Sequence, residues 1–134
     1  MVPGDPGAAF TAACLRPEAG AASRIELATG AGRLGEATIA DAVGGTSMAD
    51  AAGAAYAFGA VRRHALAWQA GDARQCVDGT LGAHDGDAAL PAGLARLQLG
   101  ARTGTAGHLG GWLRRVAYWP VRLDDARMQA LTAA

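Results

Sequence analysis

Gly111-Trp-Leu-Arg-Arg-Val-Ala-Tyr-Trp-Pro-Val-Arg-Leu-Asp-Asp-Ala-Arg-Met-Gln-Ala-Leu131 is the stretch whose reading decides the fold. It reads as the end of a strand, a proline stop and a capped helix. Residues 109–119 carry the apolar load expected of a final long strand. Pro120, which has no N–H to give to a ladder, stops it. Asp124 then stands where a carboxylate can accept from free backbone N–H groups of a helix. Asp125 adds negative charge in the first turn, where the helix dipole favours it. Leu123 before the cap and Met128 at the fourth helical position have the spacing of a hydrophobic staple, with Leu131 on the same face. A helix is therefore expected over about 124–132.

Working back from this end, Val77-Asp-Gly-Thr80 holds an Asp-Gly pair, the dipeptide that tight hairpin turns demand. Residues 62–68 place His64, Leu66 and Trp68 on one face of a strand. Gln69-Ala-Gly-Asp72 is a turn, and 73–77 is the returning strand. Residues 82–93 form a loop rich in breakers. Residues 94–100 alternate, with Leu97 and Leu99 expected inward. A glycine-rich loop, 101–108, leads into the final strand. In the first half, 8–15 is a plausible strand. Residues 23–29 alternate with Ile25 and Leu27 on one face and Arg24 and Glu26 on the other. Residues 36–43 read equally as strand or short helix, and 47–57 reads better as strand. Residues 1–7, with two prolines and two glycines, look like an arm or linker ahead of a single domain over 8–134. Short strands at regular spacing with one terminal helix predict an all-β sandwich.

The 134 residues suit one domain, and its core must use few aromatics, since these make up 5% of the chain against 51% apolar residues in all. All 12 basic residues are arginine and balance 12 acids. A net charge of zero offers no general attraction to nucleic acid or an anionic membrane. No window is long and apolar enough to span a bilayer, so membrane insertion is not expected. Cys14 and Cys76 read as small buried hydrophobes or as one disulfide. They have no histidine or acid cluster of metal-ligand spacing around them, and no metal or other cofactor is expected.

From Val61 onward the chain resembles concanavalin A-like (laminin-G-like) domains, as found in phage tail fibres and other virion surface proteins. The resemblance rests on His64-Ala-Leu-Ala-Trp68, Val77-Asp78-Gly79, Leu97-Gln-Leu-Gly100, Gly111-Trp-Leu-Arg-Arg-Val116, Tyr118-Trp119 and Leu123-Asp-Asp-Ala-Arg-Met128. Arg127 stands where the family prefers Glu, which removes the reciprocal half of a capping box. The resemblance implies a jelly-roll sandwich with a short C-terminal helix. It also implies a non-enzymatic module on a virion surface that binds cell-surface glycan for host attachment. Other virion subunits and further copies of this chain would be its partners.

The other reading is a purely structural virion protein that cements or caps neighbouring subunits; a third is an extracellular adhesion domain of a bacterium. Catalysis of glycoside hydrolysis needs paired carboxylates flanking the bond. The acid-x-acid-x-x-acid run of hydrolases with this fold is absent, so no enzyme is expected. Asp85 and Asp87 read as a solvated turn rather than a calcium site, and His64 as a strand histidine with a structural hydrogen bond. Arg102 and His108 frame the glycine-rich loop. Arginine's forked donors suit sugar hydroxyls or carboxylates. Trp112 and Trp119, an odd number apart, point to opposite faces of a regular strand, leaving one for a ligand. The candidate carbohydrate residues are Arg102, His108 and Trp112.

Overall fold

The structure, a computed structural model, describes residues 10–30, 32–43, 45–57, 59–104 and 107–133. The proposed arm, 1–7, lies outside them. Eight strands come first: β1 (Phe10–Arg16), β2 (Arg24–Thr29), β3 (Gly35–Asp41), β4 (Gly45–Ala52), β5 (His64–Gln69), β6 (Asp72–Val77), β7 (Thr80–Asp85) and β8 (Arg96–Leu99). One helix, α1 (Asp125–Thr132), follows. They build a five-stranded sheet in the order β4-β3-β2-β1-β8 and a three-stranded sheet in the order β5-β6-β7. Every pairing is antiparallel. The two ambiguous early segments are strands β3 and β4.

The turns form for the reasons their residues suggest. Asp78 and Gly79 both take positive φ, 48° and 79°, as a two-residue hairpin with the twist of its strands requires. The hydroxyl and acid side chains also act locally. The Asp124 carboxylate accepts from Arg127 N at 2.7 Å and caps α1. Leu123 and Met128 pack together against Ala67 and Cys76, so the helix lies on the outer face of the three-stranded sheet. Thr132 Oγ1 meets Cys76 Sγ and accepts from Gly79 N, each at 3.1 Å, which fixes the helix end over the hairpin. Both cysteines are free and buried.

The sheets face each other across Ile25, Ala37, Ile39, Met48, Ala73 and Ala88, with Leu15, Leu27, Leu66 and Trp68 around them. Their closeness is set by small residues. Val77 is fully buried and sits against Gly35 and Gly53; a Cβ on Gly35 would lie 2.6 Å from Val77 Cγ2. Along one side the sandwich is closed, where β4 lies beside β7. There Asp50 Oδ2 accepts from Gln75 Nε2 at 2.7 Å and from Ala83 N at 3.1 Å. Ser47 Oγ donates to Asp85 Oδ2 at 3.1 Å.

The opposite side, between β8 and β5, is open, and two expectations change there. Leu97 and Leu99 do turn toward the inner side, opposite Leu15 and Ala13. The three-stranded sheet does not reach over them, and they stay 55% and 47% exposed. Residues 109–119 are not a strand and join no ladder. Period two explains this. One face would hold Trp112, Arg114, Val116 and Tyr118, the other Leu113, Arg115, Ala117 and Trp119. Burying either face would bury an arginine without a partner, at a cost of several kcal/mol.

The Val77 contact gives a direct test of sheet spacing. Gly35→Ala should destabilise the domain by about 1–3 kcal/mol in urea unfolding. On a Val77→Ala background the same change should cost much less. Equal costs on both backgrounds would show that Val77 does not set the spacing.

Candidate functional site

Among the described residues, the surface that stands out is the strap formed by residues 111–121. Every residue in it is exposed. Trp112 is 94% exposed, Tyr118 69% and Trp119 40%, with Leu113, Val116 and Val121 also outside. Both tryptophans are thus at the surface, because without a ladder they need not alternate between two faces. Exposed apolar patches of this kind mark contact surfaces.

Anchors on both sheets place the strap. At its start, Leu109 N donates to Gly100 O at 2.7 Å, just beyond β8. Near its end, the Tyr118 ring lies 6.4 Å from the ring of Trp68 on β5, tilted by 45°. Arg122 then ion-pairs with Asp72 at the start of β6, at 2.9 Å, and with Asp125 on α1 at 3.3 Å. The strap therefore crosses the open side of the sandwich from one sheet to the other. Beneath that side lies a small apolar groove of about 60 Å³, lined by Ala13, Leu15, Ile25, Leu27, Leu66, Trp68 and Leu97, with Glu26.

Of the three residues expected to contact sugar, Trp112 is on the strap and His108 is exposed just before it. Arg102 has another duty. Its Nε donates to both oxygens of Glu26, at 2.8 and 3.0 Å. Glu26, at 1% exposure, is among the most buried residues of the chain. It also accepts from Thr11 Oγ1 and, at 2.8 Å, from Arg24 Nε. Burial alone pushes the Glu26 carboxyl up, but the donors of Arg102, Thr11 and Arg24 prevail and hold it below the usual range. The side of β2 expected to face solvent is therefore covered by Arg102, and Gly107 lies against Thr11 beside it. Gly107, at φ 70°, allows that approach: a Cβ there would lie 2.7 Å from Thr11 Oγ1. Cys14, paired with Glu26 in the ladder, has its thiol pushed up to about 11 by burial and by that carboxylate.

The larger concavity, an open depression of about 510 Å³, holds none of the three. It is lined by Asp72, Arg74, His84, Arg122, Asp124 and Asp125. Its charges are matched within it. Arg74 Nη1 lies 2.7 Å from Asp125 Oδ2, and His84 Nε2 lies 3.0 Å from Asp72 Oδ1. Burial pushes the Asp72 carboxyl up, but Arg122 and His84 outweigh it and hold it below its ordinary value. Chemically this is a clamp that joins β6, α1 and the end of the strap. Its two halves, Asp72 to His84 and Arg122 to Asp125, lie far apart in the sequence, and no spacing announces their pairing. For Glu26 there was a faint signal: Arg24 two residues away on the same face of the strand. Among the described residues no three histidine, cysteine or acidic side chains converge to hold a metal ion. Asp85 instead accepts from Asp87 N at 3.0 Å in a local turn.

Two groups set the response to acid, the half-buried His64 and the buried Glu26. Burial pushes the His64 imidazole down to about 4, although Gln75, at 2.7 Å, opposes that. An unfolded imidazole takes its proton near 6.5, so stability should fall as pH drops from 6.5 to about 4. The slope should not exceed about 1.4 kcal/mol per pH unit. Glu26 adds a second limb. Its stabilisation is complete above the ordinary value of 4.5 and is lost as pH falls through its depressed value. Urea unfolding between pH 7 and 3 should show both limbs, and His64→Gln should lack the first. A first limb unchanged in His64→Gln would rule out His64 as its source.

No protein-family model, curated protein or solved structure matches the chain.

Proposed function

We propose that this chain is a non-enzymatic adhesion module whose working surface is the strap across the open side of the sandwich. The carrying observation is Trp112, 94% exposed within a run of exposed residues that includes Tyr118 and Trp119. An aromatic ring held out in solvent can stack on the apolar face of a sugar, and His108, exposed four residues earlier in the chain, adds a hydrogen-bonding group. In this reading the sandwich is a trimmed concanavalin A-like jelly roll on a virion surface, and the ligand is cell-surface carbohydrate. Three features support the family: the His64–Trp68 strand, the Asp78-Gly79 hairpin and the capped helix on the outer face. Arg102 drops out of the ligand set, since its guanidinium neutralises Glu26. A substitution there reads stability before it reads binding.

A second reading has its own observation. Leu97 and Leu99 are exposed on edge strand β8, beside the open groove. Edge strands with apolar side chains pair readily with other chains. A neighbouring virion subunit seated there would make the module a cement.

Trp112→Ala separates these readings. Trp112 is held in no packing, so stability should change by no more than about 0.5 kcal/mol. Binding on a glycan array should fall about tenfold or more. An array silent for the unaltered chain, with β8 amides protected only on addition of particles, would sink the carbohydrate reading and leave the cement.

A further inference from the structure

The zero net charge of the chain conceals a sharp segregation. Between Asp87 and Asp124 there is no acidic residue, while Arg96, Arg102, Arg114, Arg115 and Arg122 all fall there. Three of these have partners: Arg96 with Glu18, Arg102 with Glu26, and Arg122 with Asp72 and Asp125. Arg114 and Arg115 have none among the described residues and are exposed at the centre of the strap. The two unneutralised cations are flanked on both sides by exposed apolar groups: Trp112 and Leu113 before them, Val116, Tyr118, Trp119 and Val121 after.

That composition narrows the ligand. Two free cations neutralise too few phosphates to hold a nucleic acid on charge alone. A sugar can use the aromatic rings and the guanidinium donors, but it gains little from Leu113, Val116 and Val121. Nor does the strap lie in a concavity that would enfold a small polar ligand. An interface with an anionic polar layer over an apolar layer uses every one of these side chains. Tryptophan and tyrosine settle at the headgroup level with their rings half in the acyl region. Aliphatic side chains enter below them, and arginine stems lie along the apolar surface while the guanidiniums stay with the phosphates.

We propose that the strap docks the module on an anionic lipid surface, peripherally and without spanning it. This rests on the reading of the strap as the adhesive element. It goes beyond carbohydrate and adds an anionic headgroup layer as a further ligand of that surface. A backbone outside any ladder suits the task, because no pairing fixes its side chains to alternate faces of a sheet. The anchors at Leu109, Tyr118 and Arg122 keep the strap in place on the sandwich.

The test is co-sedimentation of the full chain with vesicles of phosphatidylcholine, with and without phosphatidylglycerol, at low and high salt. Heparin serves as a soluble anionic glycan. Binding is expected only when phosphatidylglycerol is present, and it should weaken as salt screens the charges. Arg114→Gln with Arg115→Gln should lower it about 30-fold. Trp112→Ala with Trp119→Ala should weaken it as well, and circular dichroism should confirm that both variants stay folded. Equal binding to phosphatidylcholine alone, or full binding by the arginine-free variant, would overturn the proposal. Heparin binding without vesicle binding would overturn it while leaving the carbohydrate reading standing. Binding to neither, with self-association through the strap, would overturn both in favour of a second copy as occupant.

Discussion

The size of the side chains available to the core constrains everything else in this fold. Among the described residues, eight of the fifteen buried apolar residues are alanine. Small residues let two sheets approach closely but fill little volume, so the sheets close only where a few larger side chains meet glycine. Val77 against Gly35 and Gly53 is that meeting point. Beside it, Asp50 binds Gln75 and the β7 backbone, and the sandwich is shut along β4 and β7. Nothing comparable fills the other side. The groove between β8 and β5 remains, lined by Leu15, Leu66, Trp68 and Leu97, while Trp112, Tyr118 and Trp119 are exposed on the strap.

This division also explains where the charges went. Arg16, Arg24, Arg102 and Arg122 are all spent inside the fold. Arg16 Nε and Nη2 donate to Gln98 on β8 at 3.0 and 2.7 Å, and Nη1 donates to carbonyls of the following turn. Arg24 and Arg102 neutralise Glu26. Arg122 ties strap, hairpin and helix together. A buried carboxylate without those partners would cost several kcal/mol, so Arg102 is held at β2 by electrostatics. Arg114 and Arg115 are left at the surface because the adjacent backbone has no ladder to organise a partner for them.

The fold was largely legible wherever periodicity and turn chemistry agreed. The Asp78-Gly79 hairpin, the β5 to β7 meander and the Asp124 cap with its Leu123–Met128 staple could be read because each is local. Strands β3 and β4 were ambiguous because alanine has little preference between faces and states. The site was less legible. Trp112 could be singled out as a candidate for exposure, but the assumption of a strand limited that to one tryptophan of two. Arginine on both parities of 112–119 was the sign that neither face could be buried. Arg102 looked like a ligand donor because its partner, Glu26, is 76 residues away in the chain. No local pattern reports such a pair.

The most direct measurement is amide hydrogen exchange of the isolated chain, read residue by residue. The strap lies outside the hydrogen-bonded ladders of both sheets. Amides from Trp112 to Trp119 should therefore exchange at nearly the rate of free backbone, while those of β2, β3 and β6 remain protected. Protection of the Trp112–Trp119 amides equal to that of β6 would mean that the segment is a sheet strand. That would remove the exposed strap on which both functional readings of it depend.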